Sequence, residues 1–238
     1  TICIQRIFRG CQLRSQLQDL RRIFKKVNQS DCLEGYESLE KTDALIKRSY
    51  LVKWTDGCTE TFNDLNVLEL SGLNLKNIKQ EVLDLFQNSE SIDLSNNALS
   101  TLSVTFPSKC VFLYLHSNRI TEIFNGFLDN CLSIDCLNIS NNRIKALPEG
   151  FLGHCSNIYF LNLSRNLIEA LPDGFLGCSS NICSLNLSHN LIEALPGNFL
   201  DNCPHLSEIN LSFNQIRELG FDFLQKCNRL TEFLISNN

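Results

Sequence analysis

Twelve cysteines and four histidines are the side chains best able to do chemistry in this 238-residue chain. Thiolates and imidazoles bind zinc or attack electrophiles, and twelve thiols could also build a disulfide framework. Their spacing argues against all three uses. Cys131…Cys136 and Cys178…Cys183 are C-x4-C pairs, not the tighter C-x2-C of a zinc knuckle. The histidines are too dispersed to share a metal. Cys131, Cys155, Cys203 and Cys227 recur at one repeating slot, where cysteine serves as a small buried hydrophobe. Cys3, Cys11, Cys32 and Cys58 are spread along the N-terminal region instead of clustering as a disulfide-bonded cap would. Reduced thiols and an intracellular, reducing setting follow as the expectation. The chain has no phosphate-cradling glycine loop, no H-E-x-x-H and no nucleophile elbow. No catalytic, cofactor-binding or metal-binding residue is therefore expected: this segment does not read as an enzyme.

The slot that holds those cysteines belongs to a long internal repeat. Asparagine recurs at Asn97, Asn118, Asn142, Asn166, Asn190, Asn214 and Asn238, in steps of 24 residues after a first step of 21. Each closes a phrase such as Leu161-Asn-Leu-Ser-Arg-Asn166 or Leu185-Asn-Leu-Ser-His-Asn190. The alternation within each phrase predicts a short half-buried strand. The asparagine stands where the chain leaves the strand, and its amide can satisfy backbone groups that no sheet ladder reaches. Aliphatics follow two and five residues later, and from the second phrase onward a phenylalanine recurs at Phe127, Phe151, Phe175, Phe199 and Phe223. These predict a packed aromatic spine under the convex side. No single coil can bury its own apolar set, so the units must stack, with parallel strands ~4.8 Å apart. Leu68 to Ile78 forms a degenerate first unit with Leu73 at the asparagine position. The short unit after Asn97, through Thr105-Phe106-Pro107-Ser108, predicts a tight extended turn.

The pattern L-x-L-x-x-N-x-L resembles the leucine-rich repeat family over about 175 of the 238 residues. The 24-residue length and Pro148, Pro172 and Pro196 are similar to that family's typical subfamily. The resemblance implies an α/β horseshoe solenoid, with a parallel β-sheet on its concave face and a small, mainly helical N-terminal cap. It also implies a protein-interaction role through the concave face. The near-identical coils (Ile-Glu-Ala-Leu-Pro at 168 and again at 192) resemble leucine-rich effectors that intracellular bacteria deliver into host cells, which would make the partner a host protein.

Two regions are expected: residues 1–64 as a capping region and 65–238 as the repeat domain, truncated in its last coil. Leu13, Leu17, Leu20, Phe24 and Val27 predict an amphipathic helix over 11–28, with a second over 36–47 and a hairpin around Asp56-Gly57. Residues 1–64 carry eleven Lys/Arg against nine Asp/Glu, whereas 65–238 carry ten against seventeen. An acidic solenoid is a poor match to nucleic acid. No signal peptide and no apolar run long enough for a transmembrane segment is present. A monomer is expected. The chain ends within a coil, so a longer natural protein is expected. One alternative makes this segment the substrate-recognition arm of an enzyme whose catalytic domain follows residue 238. Another, an extracellular ectodomain, predicts disulfides and glycans.

On strands of this pattern the non-leucine positions face the concavity. Most are small and polar, against which Phe112, Tyr114, Phe160 and Phe213 stand out, with Asn162 among the polar positions and Arg165 and His189 beside the asparagine column. These seven are the candidate partner-binding residues, because exposed aromatics and arginine supply most hot-spot energy. Phe112, Tyr114 and Phe160 are expected to form its centre.

Overall fold

A computed structural model of the chain describes residues 66–78, 80–220 and 223–238. The helices and hairpin expected within 1–64 fall outside these residues. Each coil contributes one strand of three residues: β1 (Val67–Glu69), β2 (Ser91–Asp93), β3 (Phe112–Tyr114), β4 (Cys136–Asn138), β5 (Phe160–Asn162), β6 (Ser184–Asn186), β7 (Glu208–Asn210) and β8 (Glu232–Leu234). They form one eight-stranded sheet in chain order, and every neighbouring pair is parallel. In each of β1 to β7 the central residue is fully or almost fully buried while its flanks are not, as with Leu113, Leu137 and Leu161. That is the period-2 pattern of a sheet with one face on the core.

The α/β class needs correction. Among the described residues the fold is an all-parallel β-solenoid, and helix is confined to one turn, α1 (Gln80–Leu83), continued by a 3-10 turn at Asp84–Phe86. In two of the coils the convex segment fails to become a helix for a local reason. In the coil around Phe151, Pro148 is followed by Gly150 at φ 73° and Leu152 at φ 63°, and the next coil repeats this with Pro172, Gly174 and Leu176. Left-handed residues two apart cannot lie on a right-handed helix. What forms instead is tight turns, such as the Gly153 N–H donating to the Gly150 carbonyl at 2.7 Å.

The asparagine column joins successive coils. Asn166 accepts from the Ile144 N–H (3.1 Å) and donates to the carbonyls of Ile139 (3.1 Å) and Leu163 (3.0 Å). Asn118, Asn142, Asn190 and Asn214 repeat the arrangement. At Leu73, which stands where an asparagine stands later, the backbone N–H instead donates to Asn97 Oδ1 of the next coil. On the convex side Phe151, Phe175, Phe199 and Phe223 form a near-parallel stack with ring centroids 6.3, 6.0 and 6.1 Å apart. Phe127 instead meets Phe106 edge-on at 5.6 Å, because the short coil after Asn97 brings its aromatic round in an extended segment. Cys110, Cys131, Cys155, Cys203 and Cys227 are buried, and all eight described cysteines are free thiols.

Candidate functional site

The concave face is built in rows, because each strand position sits beside its equivalent in the next coil. The first row runs Phe112, Cys136, Phe160, Ser184 and Glu208. The second runs Asp93, Tyr114, Asn138, Asn162, Asn186 and Asn210. The sheet therefore brings Phe112, Tyr114 and Phe160 together around Cys136. Phe112 is 38% exposed and Tyr159, just before β5, is 53% exposed, while Tyr114 and Phe160 are half-buried.

The centre of this patch is tied down by polar contacts. The carbonyl of Asp135 accepts the N–H groups of Tyr159 (2.8 Å) and Phe160 (3.0 Å). Tyr114 stands diagonal to Cys136 across β3 and β4. Burial, the Cys136 thiol and the carboxylates of Asp93 and Asp135 all push the Tyr114 phenol above its ordinary value. Tyr159 is also raised, first by its interaction with the neighbouring Cys183 thiol, with Glu208 and Asp135 adding to it. Burial dominates at Cys136 and holds its thiol protonated, which is the state of a packing group and not of a nucleophile.

The second row also stabilises the strands themselves. The side-chain oxygen of Asn162 accepts the Ser164 N–H at 3.0 Å, and Asn138, Asn186 and Asn210 do the same for Ser140, Ser188 and Ser212. Asn162 thus caps its own strand end while flanking the aromatic patch.

Arg165, His189 and Phe213 lie elsewhere, in a column on the turn that leaves the strands. These three residues, each directly before an asparagine of the column, are left-handed, with φ of 55° at Arg165, 55° at His189 and 57° at Phe213. Their N–H groups donate across to Ser188, Ser212 and Ser236 of the following coil at 2.9, 2.9 and 2.8 Å. The seven candidates therefore form two groups: a sheet group of four and a turn group of three. Sequence reasoning did not single out Asp93, Asp135, Glu208 and Tyr159, which border the sheet group. The signal was present, since each occupies a variable slot in or just before a strand.

Among the described residues no group of three His, Cys, Asp or Glu is placed to hold a metal ion. No helix there is long and apolar enough to cross a membrane.

Comparison with known proteins agrees with this geometry. Residues 112–168 and 156–216 each match the leucine rich repeat family. A stretch of 68 residues is 40% identical to the human protein "Leucine-rich repeats and immunoglobulin-like domains protein 3". That stretch is 28% of this chain and 6% of the human protein's length. Neither likeness carries any sign of a bacterial effector. Repeats of this type generally serve protein–protein interaction and are not catalytic domains. Residues 112–216 thus resemble the leucine-rich repeat family, and the described part of the chain is a β-solenoid with a spacing of about 24 residues.

Proposed function

We propose that this chain binds a protein partner on its concave sheet, with Phe112, Tyr114 and Phe160 as anchors. Asn162 lies beside them, and Arg165, His189 and Phe213 form a second contact line at the edge of the sheet. The carrying observation is the row that places Phe112 and Phe160 on either side of Cys136, with Tyr114 adjoining, on a face otherwise made mostly of small polar residues. Aromatic anchors within a polar surround are the anatomy of a binding hot spot. An intracellular setting belongs to this reading and is supported by the eight free thiols. A role as an effector or adaptor is the finer form of the reading, supported by the near-identity of the coils.

The test places a photo-crosslinking phenylalanine analogue at Phe112 or, as a convex control, at Leu132, which is 57% exposed. A partner captured from position 112 and not from 132 supports the reading; the reverse pattern overturns it. Once a partner is in hand, Tyr114→Ala with Phe160→Ala is expected to weaken binding by about tenfold or more with little change in melting temperature.

A further inference from the structure

The concave face carries charge of one sign. The strands β1–β8, together with the residue before each, hold Glu69, Glu90, Asp93, Asp135, Glu208 and Glu232 and no lysine or arginine. The neighbouring arginines Arg119, Arg143, Arg165 and Arg217 all stand past the strand ends, on the turns. The carboxylates are also grouped around the aromatics. Asp93 is the direct cross-strand neighbour of Tyr114. Asp135 precedes Cys136, which lies between Phe112 and Phe160. The carbonyl of Glu90 accepts the Phe112 N–H at 2.9 Å. Farther along the first row, Ser184 Oγ donates to Glu208 Oε2 at 3.2 Å.

Aromatic rings present a negative face, so a cation gains from the rings and from the carboxylates beside them. Arginine suits both, since its planar guanidinium stacks on a ring while its edge pairs with a carboxylate. An anionic ligand meets the opposite field along the sheet. A second copy of this chain meeting face to face would bring the same carboxylates together, which disfavours a symmetric dimer here.

We propose that the concave site recognises a basic protein segment, seating an arginine or lysine side chain against Phe112, Tyr114 and Phe160 between the carboxylates of Asp93 and Asp135. This rests on the concave-binding reading above and adds the chemistry of the partner. It also assigns Asp93 and Asp135 a share in specificity. Asp93 is suited to replacement by Asn, which keeps the acceptor its own strand end needs. Asp93 Oδ1 accepts the Ser95 N–H at 2.8 Å, and Asn138 Oδ1 does the same for Ser140 two strands along the same row.

The experiment titrates the full chain with a fluorescent Gly/Ser peptide carrying several arginines, and with a counterpart in which every arginine is citrulline, which keeps the shape and loses the charge. The arginine peptide is expected to bind at least about tenfold more tightly, and its affinity to fall as salt is raised. Asp93→Asn with Asp135→Asn is expected to cost about tenfold at unchanged melting temperature, whereas Glu149→Gln with Glu169→Gln, on exposed positions outside the sheet, changes nothing. Equal binding of the citrulline peptide overturns the proposal in favour of an apolar partner. An unchanged affinity in the Asp93/Asp135 variant overturns it by placing the peptide elsewhere. If either happens while the crosslinker at position 112 still captures a partner, the charge assignment falls and the concave reading stands. If position 112 captures nothing, both fall.

Discussion

His189 and Phe213 stack face to face across neighbouring coils, with ring centroids 4.2 Å apart and planes 7° from parallel. Each does so from a left-handed backbone, at φ 55° and 57°, a conformation that costs an L-residue roughly 1–2 kcal/mol. The same column holds Gly72, Asn96, Asn141 and Asn237, residue types that adopt it more readily. A stacked pair returns about 0.5–1.5 kcal/mol, so the strain at Phe213 is largely offset, while exposed Arg165 has no ring partner among the described residues.

Arg165→Asn is therefore expected to raise stability by about 0.5–1 kcal/mol, and Phe213→Asn to leave it nearly unchanged because the stack is lost. Urea unfolding of the two variants separates the effects. An equal gain in both would show that the stack contributes nothing.

Ser179 occupies the slot that Cys155 fills one coil earlier and Cys203 one coil later. It is fully buried, and its hydroxyl has no hydrogen-bond partner among the described residues. An unsatisfied buried polar group costs about 1–3 kcal/mol. Ser179→Cys puts the column's own thiol there and is expected to stabilise by about 1 kcal/mol or more. A destabilised variant would mean that the slot in this coil is too small for sulfur.

Asn166→Ala removes an acceptor from the Ile144 N–H and donors from two buried carbonyls at once. The expected loss is about 3 kcal/mol or more. Asn157→Ala, which removes a single exposed hydrogen bond to the Leu132 carbonyl, is expected to cost far less. Comparable losses in the two would refute the bridging role of the column.

The thiols of Cys155 and Cys203 are pushed up from 9.0 to about 12, first by burial and then by neighbouring Cys131 and Cys227 respectively. Once pH exceeds 9.0, the unfolded chain releases these protons and the folded chain does not. Their contribution is thus fully present below pH 9.0 and is lost as pH rises toward 12. The loss is at most about 1.4 kcal/mol per pH unit for each thiol. Chemical denaturation from about pH 8 to about pH 11 should show this fall, and Cys155→Val with Cys203→Val should flatten it. An identical alkaline slope in that variant would assign the effect to other groups.

The repeat was legible because burial and hydrogen bonding act on the same residues in every coil. The positions of Leu161 and Asn166 carry an aliphatic and an asparagine in coil after coil, so period and strand follow from identity alone. The convex side was less legible. Its phenylalanines, aliphatics and cysteines suit a helix or a turn equally well. Left-handed Leu152 and Leu176 decide against helix, and leucine does not advertise a positive φ. The candidate site was half legible. Phe112 and Phe160 stand out as large residues in a row that also holds small ones, but the carboxylates around them sit in slots where any residue fits, and only the register shows that Asp93 faces Tyr114.

The coil between Asn97 and Asn118 is three residues shorter than the rest, yet Ser91, Ile92 and Asp93 pair with Phe112, Leu113 and Tyr114 without a slip. The whole deficit is taken up behind the sheet, in the extended segment that carries Phe106. Length changes and surface chemistry are thus decoupled in this molecule. A coil can gain or lose residues at its back without shifting which side chains stand side by side at its front. Deletions that would scramble a recognition surface in most folds are here silent at that surface, leaving substitution at single strand positions as the route by which such a face changes what it binds.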